Sequence, residues 1–295
     1  MATTTLLAVP NVSEGRDRET IAAIGSAFAA GARLLDLHSD ADHNRSVYTL
    51  AGKPQALAHA VVAGAREALE RVDLAAHDGV HPCVGTIDVA PIVFLDDARI
   101  GAACAEALLL GDLLGGELGL PVFLYGGLGG GRTRADLRRG GLAGLAERMA
   151  DGELVPDFGP AEPHRTGGVV LVSARPPLVA FNLLLAEGAT LAQARAVAAR
   201  IREGGEEGLP GLRAIGLELE RQGAVQLSIN VEDPLSLPLA AIVEAVRRHA
   251  TVATAELVGL APRAALDGFP ADVALPGFDP ARHLIENALE DDHLD

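Results

Sequence analysis

Two hydrophobic spacings alternate along this chain, and their order constrains the fold more than any single residue does. Residues 4–9 form a strand-like apolar run, closed by Pro10 and Asn11. Residues 17–30 then carry Ile21, Ile24 and Phe28 at helical spacing. Strand-like runs follow at 33–37 and 46–50, with a polar loop from His38 to Arg45 between them. In residues 54–72, Leu57, Val61, Ala65 and Leu69 recur every four positions, which reads as a helix with Gly64 as a tolerated weak point. A strand at 87–94, a long helix at 96–118 and a buried strand at 120–125 come next. Strand, helix, strand pair, helix, strand is the split-βαβ, ferredoxin-like order.

The second half repeats the theme without any residue-level repeat. Strands are expected at 168–172 and 178–185, a helix at 191–201, and a strand pair at 212–219 and 224–230 around Arg221-Gln222-Gly223. A helix at 237–249 and a strand at 255–259 follow. Pro176-Pro177 removes two backbone donors and makes a natural joint. The expectation is an α+β protein of two ferredoxin-like subdomains, residues 1–174 and 178–295, with mixed or antiparallel sheets.

Composition narrows what such a chain can do. At 295 residues, with 49% hydrophobic and 22% charged residues, it is a globular chain of one large or two medium domains. Aromatics are only 3% and Trp is absent, so Ala, Leu, Val and Ile must build the core. A net charge of −16 repels nucleic acid and acidic membrane surfaces, and no basic run offsets it. Cys83 and Cys104 make neither a disulfide framework nor a structural zinc set, which fits a reducing cytosol. The N-terminus lacks a signal-peptide pattern, and the apolar run at 102–110 is short and broken by Glu106. The negative charge reflects solubility, and an anionic substrate would need a local basic pocket inside an acidic surface.

Three polar clusters are candidates for chemistry. In His77-Asp78-Gly79-Val80-His81-Pro82-Cys83-Val84-Gly85-Thr86-Ile87-Asp88, two histidines stand four apart. Gly79 and Pro82 make this a loop, because proline disfavours the helical region for His81, so the metal-helix meaning of that spacing is lost. A histidine titrating near neutrality suits proton transfer. Asp36-Leu37-His38-Ser39-Asp40-Ala41-Asp42-His43-Asn44-Arg45 reads either as a solvated connection with Asx turns or as a site; it lacks calcium-loop spacing. Tyr125-Gly126-Gly127-Leu128-Gly129-Gly130-Gly131-Arg132-Thr133 matches neither dinucleotide nor P-loop offsets, and suits a ligand-approach loop. Cys83 lies too close to His81 across a proline to form a nucleophile pair with it. Ser13 lacks the leading glycine of a nucleophile elbow and reads as a turn.

Ordered blocks carry a family likeness. They are Val9-Pro10-Asn11-Val12-Ser13-Glu14-Gly15, Asn44-Arg45-Ser46-Val47-Tyr48-Thr49, and the loop from His77 through His81-Pro82, Gly85 and Asp88-Val89 to Pro91. Pro121 to Gly126, Pro156 to Pro160, Ala174-Arg175, Ala180-Phe181-Asn182, Gln226-x-Ser228-x-Asn230 and Glu256 to Leu260 continue the series. The chain resembles the formiminotransferase domain of the glutamate formimidoyltransferase family, which in animals is joined to a cyclodeaminase. The resemblance implies two ferredoxin-like subdomains with a substrate cleft between them, usually in a homodimer. It implies transfer of a formimino group from N-formimidoyl-glutamate to N5 of the co-substrate tetrahydrofolate, without a metal. It implies His81 as catalytic residue and Gly159-Pro160-Ala161-Glu162-Pro163-His164-Arg165-Thr166-Gly167-Gly168 as the folate-contacting segment. No cyclodeaminase domain is expected here, so a separate protein would carry out the closing step. Asp78 and Cys83 stand where animal members carry basic residues, which leaves Arg45, Arg132 or Arg175 to supply the charge.

The reaction so implied needs N5 to lose a proton and the departing glutamate nitrogen to gain one, which a single histidine can do. Asp40, Asn44, Arg45, His77, Asp88, Tyr125, Gly126 and Arg175 are the supporting candidates, with Asp36, Asp40, Asp42 or Asp88 to orient the imidazole. A different formimino or formyl donor, a metal-dependent hydrolase using His77, His81 and Asp88, and a non-enzymatic folate binder remain as alternatives.

Overall fold

The first strands are broken where the sequence removes a donor. β1 (Leu6–Ala8) and β2 (Asn11–Val12) flank Pro10, and both pair with the same two neighbours, β4 (Arg45–Gly52) and β5 (Ile87–Val93). This computed structural model describes residues 5–290, so Thr4, the expected first strand residue, lies outside it. Between these strands come α1 (Arg18–Ala29), β3 (Arg33–Asp40) and α2 (Ala56–Arg71). Across the sheet the order is β3, β4, the β1/β2 pair, then β5, which is the ferredoxin-like arrangement. The polar loop expected from His38 to Arg45 is shorter than its composition suggests. His38, Ser39 and Asp40 pair with Val47, Ser46 and Arg45, so only residues 41–44 turn.

The sheet then extends beyond the ferredoxin-like frame. α3 (Ile100–Leu118) leads to β6 (Val122–Leu124), α4 (Arg134–Arg138), α5 (Gly141–Ala150) and β7 (Val170–Arg175). β7 inserts between β5 and β6 and runs parallel to both. The strand read at 168–172 as opening the second half therefore belongs to the first sheet. Parallel pairing needs a long crossover, and the segment carrying α4 and α5 provides it.

Two helix ends show how packing completes local signals. Asp17 accepts from the Glu19 amide at the start of α1. α2 has no side-chain cap of its own; Glu106 of α3, 2% exposed, accepts from the amides of Gln55 and Ala58 at 2.6 and 2.7 Å. One face of the sheet packs Leu6, Leu50, Ile92 and Val172 with Phe28 of α1 and Val61 of α2. The other face packs Val89, Phe123, Tyr125 and Leu171 with Leu137 of α4 and Leu145 and Met149 of α5.

The chain divides into two compact units, the first ending at Arg175 and the second starting at Pro176. In the second, β8 (Val179–Leu185), α6 (Leu191–Ile201), β9 (Leu212–Leu219), β10 (Ala224–Val231), α7 (Leu239–Arg247) and β11 (Val252–Val258) repeat the βαββαβ order. The sheet order β11-β8-β10-β9 is antiparallel throughout. Its core joins Phe181, Leu227 and Ile229 to Val197 of α6 and Ile242 of α7. α8 (Pro280–His283) and α9 (Ile285–Glu290) follow. Among the described residues, no helix is long and apolar enough to cross a membrane.

Candidate active site

The His77–Asp88 segment leaves a single 3-10 turn at Leu74–Ala76 and enters β5 without helical structure at either histidine. Backbone hydrogen bonds fix it along its length. The Val80 amide donates to the Asp42 carbonyl at 3.1 Å, and the Thr86 amide to the Gly167 carbonyl at 2.9 Å. Ser13 Oγ donates to the Gly85 carbonyl at 2.7 Å. Two glycines permit this approach. A Cβ at Gly79 would stand 2.1 Å from the His43 carbonyl oxygen, and one at Gly85 would stand 1.9 Å from that of Val169.

His81 is buried, 8% exposed. Arg45 Nη1 lies 3.0 Å from its Nε2. A guanidinium only donates, so Nε2 accepts, and in the neutral ring Nδ1 carries the proton. Nδ1 is buried and, among the described residues, meets no hydrogen-bond partner. The His43 ring stacks against His81 with centroids 5.7 Å apart. Burial, then the charges of Arg45 and Arg138, then His43, hold the His81 imidazole well below the ordinary histidine value, so it is neutral near pH 7. Burial and the neighbouring Arg138 also lower Arg45, to about 10, which leaves it cationic.

The remaining sequence candidates fall around this centre with different partners. Asp88, 1% exposed, accepts from the Val84 amide at 2.8 Å and pairs with Arg138 of α4. It therefore shapes the loop and holds an arginine, while the imidazole's hydrogen bond goes to Arg45. Asp40 accepts from the His43 amide at 2.7 Å and fixes the turn before Asn44 and Arg45. Asn44 takes a left-handed φ of 47°, accepts from the Gly15 amide at 3.0 Å and offers Nδ2 to His77 Nδ1 at 3.3 Å. Burial lowers His77 as well. Tyr125 is buried at the end of β6, its hydroxyl meets no partner among the described residues, and Arg134 of α4 lies over its ring. Gly126 opens a turn closed by Arg132. Arg175 ends β7 in register with Val93. Cys83 is half-buried, and burial with the Asp88 charge raises its thiol.

The segment Gly159 to Gly168 divides in two. Gly159, Pro160, Ala161, Glu162 and Arg165 are exposed, and Pro163, His164 and Thr166 are partly so. His164 and Gly168 exchange backbone hydrogen bonds, and His164 Nδ1 accepts from Gly167. Thr166 and Gly167 carbonyls receive the amides of Leu74 and Thr86. Its second half thus braces the two ends of the His81 loop. Among the described residues, no three His, Cys, Asp or Glu side chains group to hold a metal ion. His77, His81 and Asp88, the trio of a hydrolase reading, are engaged by Asn44, Arg45 and Arg138.

Family models match this arrangement on both sides of the joint. The model described as the formiminotransferase domain, N-terminal subdomain, matches residues 5–175, and that of the formiminotransferase domain matches 180–268. The chain belongs to the formiminotransferase family. A glutamate formimidoyltransferase of Streptococcus pyogenes serotype M1 is 33% identical over 292 residues, 95% of this chain and 97% of that protein. One from Thermoplasma acidophilum is 33% identical over 96% of each chain. The formimidoyltransferase-cyclodeaminase of Gallus gallus is 36% identical over 88% of this chain, which spans about half (50%) of that longer protein.

Within this formiminotransferase chain, the sequence left Arg138 unnamed and marked His43 only as a member of the Asp36–Arg45 cluster. Arg138 sits on α4, in a stretch read only as following a glycine-rich loop. Its signal was present: Thr133 and Asp136 make a capping box, each side chain bonded to the other's backbone amide. His43 reaches His81 only because the β3–β4 turn meets the loop at Gly79, a contact between distant segments that no local spacing announces.

Proposed function

We propose that this chain transfers the formimino group of N-formimidoyl-glutamate to N5 of tetrahydrofolate, with His81 moving the protons. The observation that carries the reading is a buried, neutral imidazole held on one nitrogen by a cation and partnerless on the other, inside a chain of this family. N5 attacks the amidine carbon, a tetrahedral intermediate forms, and glutamate's nitrogen departs. The attacking nitrogen loses one proton and the departing one gains one. In the resting state Nε2 is occupied by Arg45. A donor carboxylate draws Arg45 toward itself and frees Nε2, which accepts the N5 proton and then returns it to the leaving nitrogen. Arg45 gives an acidic protein local positive charge for a carboxylate of the donor, at a site where Asp78 and Cys83 replace the expected basic residues, while Arg138 is paired with Asp88. Asp78 itself pairs with Arg16 at the surface.

The exposed start of the Gly159–Gly168 segment, with Arg165, is the part proposed to meet folate. Charge-assisted contacts of this kind contribute roughly 1.5–3 kcal/mol. A spectrophotometric assay of 5-formimidoyltetrahydrofolate formation, run with formimino-glutamate, formyl-glutamate and other formimino compounds, tests the reading. Turnover with none of these donors would refute it.

A further inference from the structure

Arg45 opens β4 one residue after a backbone conformation that most residues avoid. Asn44 holds a φ of 47°, in the left-handed region, which a short polar side chain tolerates when it is hydrogen-bonded. The bonds that hold it come from two distant segments. Asn44 Oδ1 accepts from the Gly15 amide at 3.0 Å, and Nδ2 lies 3.3 Å from His77 Nδ1. An amide nitrogen only donates, so His77 Nδ1 accepts, and in the neutral ring Nε2 carries the proton. His77 is half-buried, and burial lowers its proton affinity. The ring is therefore neutral near pH 7 and Nδ1 is able to accept.

Glycine stands at each place where these segments meet. A Cβ at Gly15 would lie 2.2 Å from the Asp40 carbonyl oxygen and 2.4 Å from the Arg45 amide nitrogen. One at Gly79 would lie 2.7 Å from His77 Nε2 as well as against the His43 carbonyl. The turn is thus pressed between the segment after β2 and the histidine loop, with the Asn44 side chain bonded to both. Its next residue, Arg45, places Nη1 3.0 Å from His81 Nε2. Ordering a long arginine side chain costs up to about 2 kcal/mol of rotamer freedom, so a fixed backbone origin bears on how well it is aimed. The contacts run from His77 through Asn44 and Arg45 to His81. An apolar residue could fill the half-buried place of His77, but it would offer Nδ2 no acceptor.

We propose that His77 is a positioning residue that, through Asn44, sets the turn from which Arg45 is aimed at His81 Nε2. Its bearing on turnover rests on the role proposed above for His81. The His81 imidazole of the full chain should be titrated by NMR on 15N-histidine-labelled protein, its signal assigned by its loss in His81→Ala. The transfer assay with formimino-glutamate supplies kcat/KM. His77→Leu keeps a similar size and removes the acceptor. A lost neutral hydrogen bond of about 0.5–1.5 kcal/mol corresponds to roughly two- to tenfold. In His77→Leu, kcat/KM should fall by that factor, and the His81 titration should move upward as Arg45 departs from Nε2. His77→Asn places an oxygen near the position of Nδ1 and should restore both. Asn44→Gly keeps the left-handed turn without the amide, and keeps the test open if His77→Leu is unstable. It should move the titration upward too, and adding His77→Leu to it should move the titration no further. A purely structural role would lower the melting temperature and leave the His81 titration in place. A titration unmoved or lowered, an unchanged kcat/KM in His77→Leu of an active parent, or a failure of His77→Asn to restore either overturns the proposal. If the titrations respond as expected but the parent turns over no donor, the positioning stands and the proposed transfer falls.

Discussion

The two units share one βαββαβ frame and differ in what they bury. In the second, ion pairs such as Arg248–Glu207 and Arg213–Glu232 lie at the surface. In the first, a carboxylate 1% exposed, an arginine and a histidine lie under cover together. The first unit also carries β6, β7, α4 and α5 beyond the shared frame, and these additions supply Arg138 and the brace at Thr166–Gly167. The frame itself provides β3, β4 and β5. Ionisable chemistry was built by adding a second layer over the ferredoxin-like sheet, which lowered the dielectric around groups the frame alone would leave in water.

The sharpest way to break that contrast is to remove one histidine from each unit. His81→Ala should lower turnover by about 10²–10⁴-fold, the usual range for a lost proton-transfer group. His249→Ala, beside Glu207 in the second unit, should leave turnover within about twofold. Equal effects in the transfer assay, or a melting temperature collapse in His81→Ala, would defeat the assignment.

Next in size is the cost of unpairing a buried charge. Arg138→Met leaves the Asp88 carboxylate enclosed with no cation, which should cost about 3–5 kcal/mol of stability. Arg248→Met, at a site where half the arginine is exposed, should cost no more than about 1 kcal/mol and should do so less in high salt. Urea titration of both variants checks the difference.

A smaller effect separates the groups acting on His81 itself. Its proton affinity is lowered by burial and by Arg45, so the acid limb of kcat/KM should fall below the ordinary histidine value of 6.5. Arg45→Gln removes the nearest cation and should move that limb upward. In stability the sign follows from proton counting: below about 6.5 the unfolded chain binds a proton that buried His81 refuses. Stability therefore falls as pH drops through that value. A limb unmoved by Arg45→Gln would leave the shift to burial, Arg138 and His43.

Much of this contrast was legible in the sequence, and the part that was not has a physical reason. Periodicity marked α2 and α6 to within a few residues because each buries one stripe of Leu, Val or Ala. Gly79 and Pro82 marked a loop around His77 and His81, and the family resemblance singled out His81 within it. The 168–172 run reads beside the strands of the second half, although the boundary expected at 174 keeps it in the first subdomain, where β7 pairs; an apolar run announces burial but not its partners, and parallel pairing is decided by a distant crossover. α4 went unread because its five residues bury only Leu137, too short for a period, although its capping box was in view. Arg138 and His43 reach the site through tertiary contacts, which local spacing does not encode.

The smallest expected effect concerns Cys83, the residue beside His81 that most invites a covalent reading. A thiol attacks as its thiolate, and a catalytic cysteine is found where cations or a helix N-terminus lower its pKa. Cys83 has the reverse setting. It is half-buried, and burial followed by the Asp88 carboxylate raises its thiol; Ser13, Arg138 and Arg45 only partly oppose them. The cations that would activate it are directed elsewhere, Arg138 to Asp88 and Arg45 to His81. Cys83→Ser keeps the size and a weak donor, so transfer should stay within about twofold of the parent, and the enzyme should resist thiol-directed alkylation at neutral pH. Complete loss of turnover in Cys83→Ser with an unchanged melting curve would mean that a substrate-bound state inverts this electrostatic order and that the single-histidine mechanism must give way to a covalent one.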